Sequence, residues 1–212
     1  MGRFFRTIAI SIFLVGFPAV SWYYLNEGYK YRIGIIEELD QQLGTPPAFQ
    51  LVNQAGKMID NGFMKEKVII TNFMALDAVD ASKAYMEKLY NIQDQFDKKD
   101  DILFYTYVKA DSLKAVQDYV NSLGIKEEKQ WNFLTGTDAK MEQFIQAFPF
   151  PENSSKTYAG NSTVAIVDTS STIRFFYDIN NNKEVSKLIE HIANLMPQAP
   201  PAEARTKREL EK

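Results

Sequence analysis

The residues able to do chemistry are few and scattered. The chain has no cysteine and a single histidine, His191. Without thiolates there is no disulfide, thiol nucleophile, iron–sulfur cluster or thiolate metal site, and one imidazole cannot build a multi-histidine centre. Met58, Met64 and Met74 carry thioether sulfurs that can hold Cu(I). No Met-x-x-Met cluster joins them, and isolated methionines ordinarily fill gaps in a core. Asp77 and Asp80 stand at the expected start of a helix. As a carboxylate pair they could hold a hard cation or move protons; as caps they would satisfy free backbone amides and the helix dipole. Capping is the expected role. Ser154, Ser155, Ser162, Ser170 and Ser171 have no histidine nearby in sequence. Any triad would have to draw on His191, beside Glu190, where a surface or hydrogen-bonded histidine is expected. Gly56 and Gly136 sit in turns without a phosphate-loop pattern. No catalytic residue, metal site, cofactor or small-molecule substrate is expected, and the chain does not read as an enzyme.

The composition fits one globular domain plus an apolar leader: 212 residues, 45% hydrophobic and 24% charged. A net charge of −3 leaves no broad basic surface, so nucleic acid is not an expected partner. Arg3 and Arg6 precede an uncharged run, residues 7–25, that ends in Trp22, Tyr23 and Tyr24. At 1.5 Å per residue such a run nearly spans a hydrocarbon core of roughly 30 Å. Aromatic rings favour the membrane interface, and the arginines favour the cytoplasm. Pro18 could kink this helix. The expectation is a single-pass membrane anchor, with residues 1–6 cytoplasmic and the remainder periplasmic or otherwise extracytoplasmic. A cleaved signal peptide ending at Ala19-Val20-Ser21 is the competing reading.

Residues 26–45 read as a juxtamembrane helix or stalk, broken by Gly44-Thr45-Pro46-Pro47. A domain over 46–196 follows. FQLV (49–52) is a short strand and Asn53-Gln54-Ala55-Gly56 a turn. KVIITNFM (67–74) and DILFYTYV (101–108) have the apolar, β-rich character of buried strands. Tyr85, Leu89, Ile92 and Phe96 mark one face of a helix; Leu113, Val116, Val120 and Leu123 mark another, started by Asp111 or Ser112 and stopped by Gly124. A third carries Met141, Phe144, Ile145 and Phe148 after the apolar stretch WNFL. TVAIVD and TIRFFYD form a hairpin, and a last helix near 183–196 ends at Pro197. Residues 197–212 are Pro-rich and charged, the composition of a disordered tail. Alternating elements with a late hairpin predict an α/β fold with a mixed central sheet.

The words of the sequence resemble those of Sco/SenC proteins. PPAFQLVNQAGKMI (46–59) is similar to that family's opening of Pro, Phe, a strand and Asn/Asp-Gln-x-Gly. KVIITNFM resembles its central strand, ILFYTYVKADSLKAVQDYVNSLGI (102–125) its next strand and helix, and WNFLTG (131–136) its Trp-x-Phe-Leu-Thr-Gly word. STVAIVDTSSTIRFFYD fits its late hairpin. The resemblance implies a thioredoxin-like fold and a membrane tether. It also implies a part in handling copper and thiols for cytochrome c oxidase, through a Cys-x-x-x-Cys pair and a histidine. Counting from Phe73, the cysteine positions fall at Leu76 and Asp80, and the histidine position falls near Asn161, so the family's metal and redox chemistry does not carry over. What remains is a pseudo-active site whose rim, Ala75, Leu76, Asp77, Asp80 and Asn161, is the candidate contact surface for a membrane-complex protein, with a respiratory oxidase the leading partner. A copper chaperone using methionine or carboxylate ligands, and an unrelated envelope structural protein, are the alternatives.

Overall fold

A computed structural model describes residues 2, 12–124, 129–152 and 154–196. It divides into two compact units, Met1–Asp40 and Gln41–Lys212. The expected tail, 197–212, and the first residues of the apolar run, 7–11, lie outside the described residues.

In the first unit a π-helical turn, Ile12–Gly16, leads into α1, Phe17–Leu39. Pro18 sits in the first turn of α1, where its missing N–H leaves no bond unmade, so it starts the helix rather than kinking it. The helix continues unbroken through most of the expected stalk. Trp22, Tyr23 and Tyr24 are exposed on it. Among the described residues no helix is long and apolar enough to cross a membrane. The π-helical turn and α1 together keep only residues 12–25 of the apolar run, and beyond it α1 carries Glu27, Lys30, Arg32, Glu37 and Glu38.

The second unit is built on a five-stranded sheet. Its strands are β3 (Val68–Ala75), β4 (Ile102–Lys109), β5 (Trp131–Leu134), β6 (Thr163–Val167) and β7 (Ile173–Asp178), in the order β5-β4-β3-β6-β7. β3, β4 and β5 run parallel, while β6 and β7 are antiparallel. A separate two-stranded ribbon joins β1 (Gln50–Val52) to β2 (Met58–Asp60). The helices are α2 (Val79–Gln95), α3 (Leu113–Leu123), α4 (Asp138–Ala147) and α5 (Asn182–Leu195). This is the thioredoxin-like arrangement, with WNFL added as an extra edge strand where the sequence reads as an apolar stretch.

β3 alternates between two cores. Val68, Ile70 and Met74 pack with α2, α3 and α5, while Ile69, Phe73 and Ala75 pack with α4 and the ribbon. Both faces are covered, which is why the strand is apolar throughout. Tyr85, Leu89, Ile92 and Phe96 are all buried as the periodicity requires. α3 is capped by Ser112, whose Oγ accepts the Ala115 N–H at 3.2 Å, and is stopped by left-handed Gly124. Leu123, expected inward, is exposed at the end of the last turn.

The Asn53–Gly56 turn does more than reverse the chain. The Gln54 side chain lies along the outer edge of β5: Nε2 donates to the Trp131 carbonyl at 2.7 Å and Oε1 accepts the Phe133 N–H at 2.9 Å. Asn53 Nδ2 donates to Asn132 Oδ1 at 2.9 Å, and Val52 exchanges two backbone bonds with Thr135. A Cβ on Gly136 would stand 2.8 Å from Leu51 Cδ2. The turn word and the WNFLTG word therefore form one structural joint.

At the other sheet edge, Leu43 N–H donates to the Ile173 carbonyl and Ile173 N–H to the Gly44 carbonyl. The adjacent Arg174 guanidinium reaches the Gln41 carbonyl and is held by Asp168, with Nε and Nη2 both 2.7 Å from Oδ2. Gly44 takes φ +118° to make this strap, a conformation that favours glycine.

One group in the ribbon-side core has no hydrogen-bond partner among the described residues. Tyr107 Oη is fully buried, its ring packed on those of Phe73 and Phe144, and burial pushes its pKa well above the ordinary value. Tyr107→Phe is expected to be neutral or to stabilise by about 1 kcal/mol, because it removes a desolvated hydroxyl and keeps the ring. A drop in the urea midpoint of the variant would overturn this.

Candidate functional site

β3 ends at Ala75, a 3-10 turn spans Leu76–Ala78, and α2 begins at Val79. Parallel strands β3 and β4 finish here, where open α/β sheets place their ligands. Leu76 is half-buried against the α2-side core, and Asp77 and Asp80 are exposed. Neither aspartate caps the helix: the cap residue is Ala78, with no side-chain bond, so the capping expectation fails. The 3-10 turn carries Asp77 ahead of the first turn and leaves Asp80 inside it, where a carboxylate favours the dipole alone.

Two rim positions are not surface. Ala75 is 2% exposed and Asn161 4%. Asn161 braces its own loop: Nδ2 donates to the carbonyls of Thr157 at 2.7 Å and Ser155 at 3.2 Å, and Oδ1 accepts the Thr163 N–H. Asn161-Ser162-Thr163 matches the N-glycosylation pattern Asn-x-Ser/Thr, but a buried amide bonded within its own loop is not an accessible acceptor. Asn153-Ser154-Ser155 matches the same pattern, and Asn153 lies outside the described residues. The loop meets α2 at Gly160, where a Cβ would stand 3.8 Å from Ala81.

Beside the rim lies a cleft of about 200 Å³, lined by Ala75, Asp77, Lys109, Glu142, Lys156 and Tyr158. Lys109 Nζ is 4.0 Å from Glu142, and Lys156 donates to the Gln146 carbonyl. Tyr158 Oη donates to the Met141 carbonyl, and burial drives its pKa upward. Behind the strand end, Tyr85 Oη contacts the Phe73 carbonyl at 2.9 Å and Ser82 Oγ at 2.7 Å; burial pushes it up to about 12. These phenols stay protonated and serve as structural donors. The cleft charges were not anticipated because Lys109, Glu142 and Lys156 come from three separated segments.

The remaining candidates are dispersed. Met64 and Met74 are fully buried in the two opposite cores, with the sheet between them, and Met58 is exposed. No thioether site results. His191 is the hydrogen-bonded histidine of the two expected kinds: it is fully buried, and its Nδ1 lies 2.6 Å from Tyr177 Oη. Ser170 Oγ is bonded to Asp168. Among the described residues no three His, Asp or Glu side chains converge on a possible metal position. A leucine, a solvent-facing carboxylate and a hydrogen-bonded amide do not fit a soft copper ion, which prefers thiolate, thioether and imidazole. The aromatic strand β7 packs on both sides, Phe175 into one core and Phe176 into the other, leaving no exposed aromatic row.

The family model described as SCO1/SenC matches residues 37–197. The chain belongs to the SCO1/SenC family. Three solved structures show the shared fold. A SCO1/SenC family lipoprotein from Bacillus anthracis str. Ames is 20% identical, with TM-score 0.58, covering 74% of this chain and 98% of that one. BsSco is a member of the Sco family of cytochrome c oxidase assembly proteins in which a disulfide switch was identified. It is 15% identical, with TM-score 0.58 over 73% and 95% of the two chains. Bradyrhizobium japonicum ScoI, solved with copper bound, is 13% identical, with TM-score 0.57 over 72% and 100%. No curated protein sequence matches the chain. Within the SCO1/SenC family, then, this member has no cysteine with which to hold copper or exchange disulfides.

Proposed function

We propose that this SCO1/SenC protein works without the copper and thiol chemistry of its family, as a tethered domain that contacts another protein. The tether is the apolar run 7–25, and the domain stands on the extracytoplasmic side. The partner is a subunit or assembly intermediate of a respiratory oxidase, a reading supported by BsSco's membership of a family of cytochrome c oxidase assembly proteins. One observation carries the proposal: a family fold is kept while the three expected ligand positions hold no thiol and no imidazole. Function then rests on shape and surface rather than on reaction. The exposed part of the old site narrows to Asp77 and Asp80, with half-buried Leu76 between them and the core and the mixed-charge cleft beside them.

The test is purification of the tagged full chain from its own membranes in mild detergent, with mass spectrometry of co-eluting proteins. Oxidase subunits near stoichiometry are expected. The Asp77→Arg, Asp80→Arg double variant, at two exposed positions, is expected to lose at least tenfold of that recovery with its unfolding temperature unchanged. A solitary protein, or full recovery in the variant, would sink the proposal.

A further inference from the structure

Edge strands leave rows of open backbone groups, and proteins normally close them. This chain closes the outer edge of β5 with the Gln54 amide and starts closing β7 with the strap at Leu43 and Gly44. The strand leading into β1 is treated differently. Its inner edge is paired along its length: the Asn61 side chain accepts the Phe49 N–H and donates to the Pro47 carbonyl, and Leu51 faces Ile59 in the ribbon. Its outer edge is used once, where Val52 bonds Thr135. In an antiparallel ladder the groups of alternate residues point the same way. Those of Gln50 therefore point outward with Val52's, and they find no partner among the described residues. The chain that would have covered them turns away at Gly136 into α4.

The space this leaves is a groove of about 440 Å³ between β1 and α4. Phe49 and Leu51 line one wall, and Phe144 and Ala147 the other. Lys140 is the one charged side chain among the lining residues. A strand edge facing a helix across an apolar floor is the geometry in which an extended peptide adds as a further strand.

We infer that the β1–α4 groove binds an extended segment of a partner protein by strand addition, continuing the Val52–Thr135 bridge past Gln50. The segment alternates apolar residues, which meet the floor, with outward ones, and carries a carboxylate that reaches Lys140. Glu142 and Ile145 of the same helix line the cleft by the old site, so the groove occupies a different side of α4 from the rim.

The test places a photo-crosslinking p-benzoylphenylalanine at Ala48, which is exposed, in the full chain inside the cells that make it. The adduct is expected on an extended, Asp- or Glu-containing segment of another protein. A synthetic peptide of that segment is expected to bind the purified full chain, with affinity falling at least tenfold in Gln50→Pro. That change removes the outward N–H and leaves the ladder through Leu51 intact. Should Gln50→Pro unfold, Lys140→Glu is expected to weaken binding several-fold. An adduct on residues 197–212 of the same chain, on a second copy, or nowhere would overturn the inference, as would an affinity indifferent to these substitutions. The Asp77→Arg, Asp80→Arg variant is expected to keep the adduct, which separates failure here from failure of the rim.

Discussion

Gln54→Leu is expected to lower stability by about 2–5 kcal/mol, because it strands the Trp131 carbonyl and the Phe133 N–H at a buried edge and each unsatisfied group costs about 1–3 kcal/mol. In a unit of this size the corresponding fall in Tm is roughly 5–15 °C. The leucine fills much the same volume, so the loss reports the hydrogen bonds rather than a cavity. Gln54→Glu sharpens the test. A carboxylate still accepts the Phe133 N–H but turns a lone pair toward the Trp131 carbonyl and places a charge where Gln54 is 6% exposed. Its loss is expected to match or exceed that of leucine at pH 7 and to shrink in acid, where a protonated carboxyl can donate to the carbonyl. Thermal unfolding of the full chain followed by circular dichroism at pH 7 and pH 4 reads both effects. A cost below about 1 kcal/mol for Gln54→Leu would mean that water replaces the amide without penalty.

Arg174→Ala is the second large expectation, about 2–4 kcal/mol at pH 7, since it removes one partner of a largely buried ion pair and leaves Asp168 without its countercharge. Burial alone would raise the Asp168 pKa. The hydrogen bonds from Ser170, Thr172 and Arg174, with the guanidinium charge, outweigh it and hold the carboxyl below its ordinary value. A carboxyl whose folded pKa lies below its unfolded one stabilises the fold above about pH 4 and loses that contribution as pH falls through the lowered value. The gap between wild type and Arg174→Ala is therefore expected to be widest near neutrality and to narrow below about pH 4. Urea midpoints at pH 7 and pH 3 test the sign, and a gap that widens in acid would refute it. Hydrogen exchange at the Leu43 and Ile173 amides is expected to quicken in the variant, because Arg174 also holds the Gln41 carbonyl.

The sequence is most legible where one physical rule acts alone. β3 and β4 read as buried strands because both faces demand apolar side chains. α2 reads from Tyr85, Leu89, Ile92 and Phe96 because a single stripe meets the core. Ser112 and Gly124 announce the ends of α3 by local backbone chemistry. Legibility fails where the deciding partner is remote. WNFL is too short to declare itself a strand until β4 and Gln54 supply its two edges. Asp77 and Asp80 look like caps until the 3-10 turn shifts the helix start to Val79. His191 reads as either surface or hydrogen-bonded, and only the contact with Tyr177 on β7 decides between the two. Asn161 reads as a rim residue because its position is counted along the chain, whereas its amide is spent on the carbonyls of its own loop.

The strap at Leu43–Gly44 has a mechanical consequence. Ile173 and Val167 lie beside Ile69, at the opening end of β3, while the rim stands beyond Ala75 at its closing end. Eight residues at about 3.3 Å each separate the two poles by roughly 25 Å. Tension between residue 41 and anything gripping the rim therefore runs lengthwise along β3. It loads the ladders to β4 and β6 in shear, all bonds sharing the pull. The two bonds at Ile173 are instead peeled one after the other. Under strain the strap yields first, freeing the few residues up to Pro46 while the sheet stays whole.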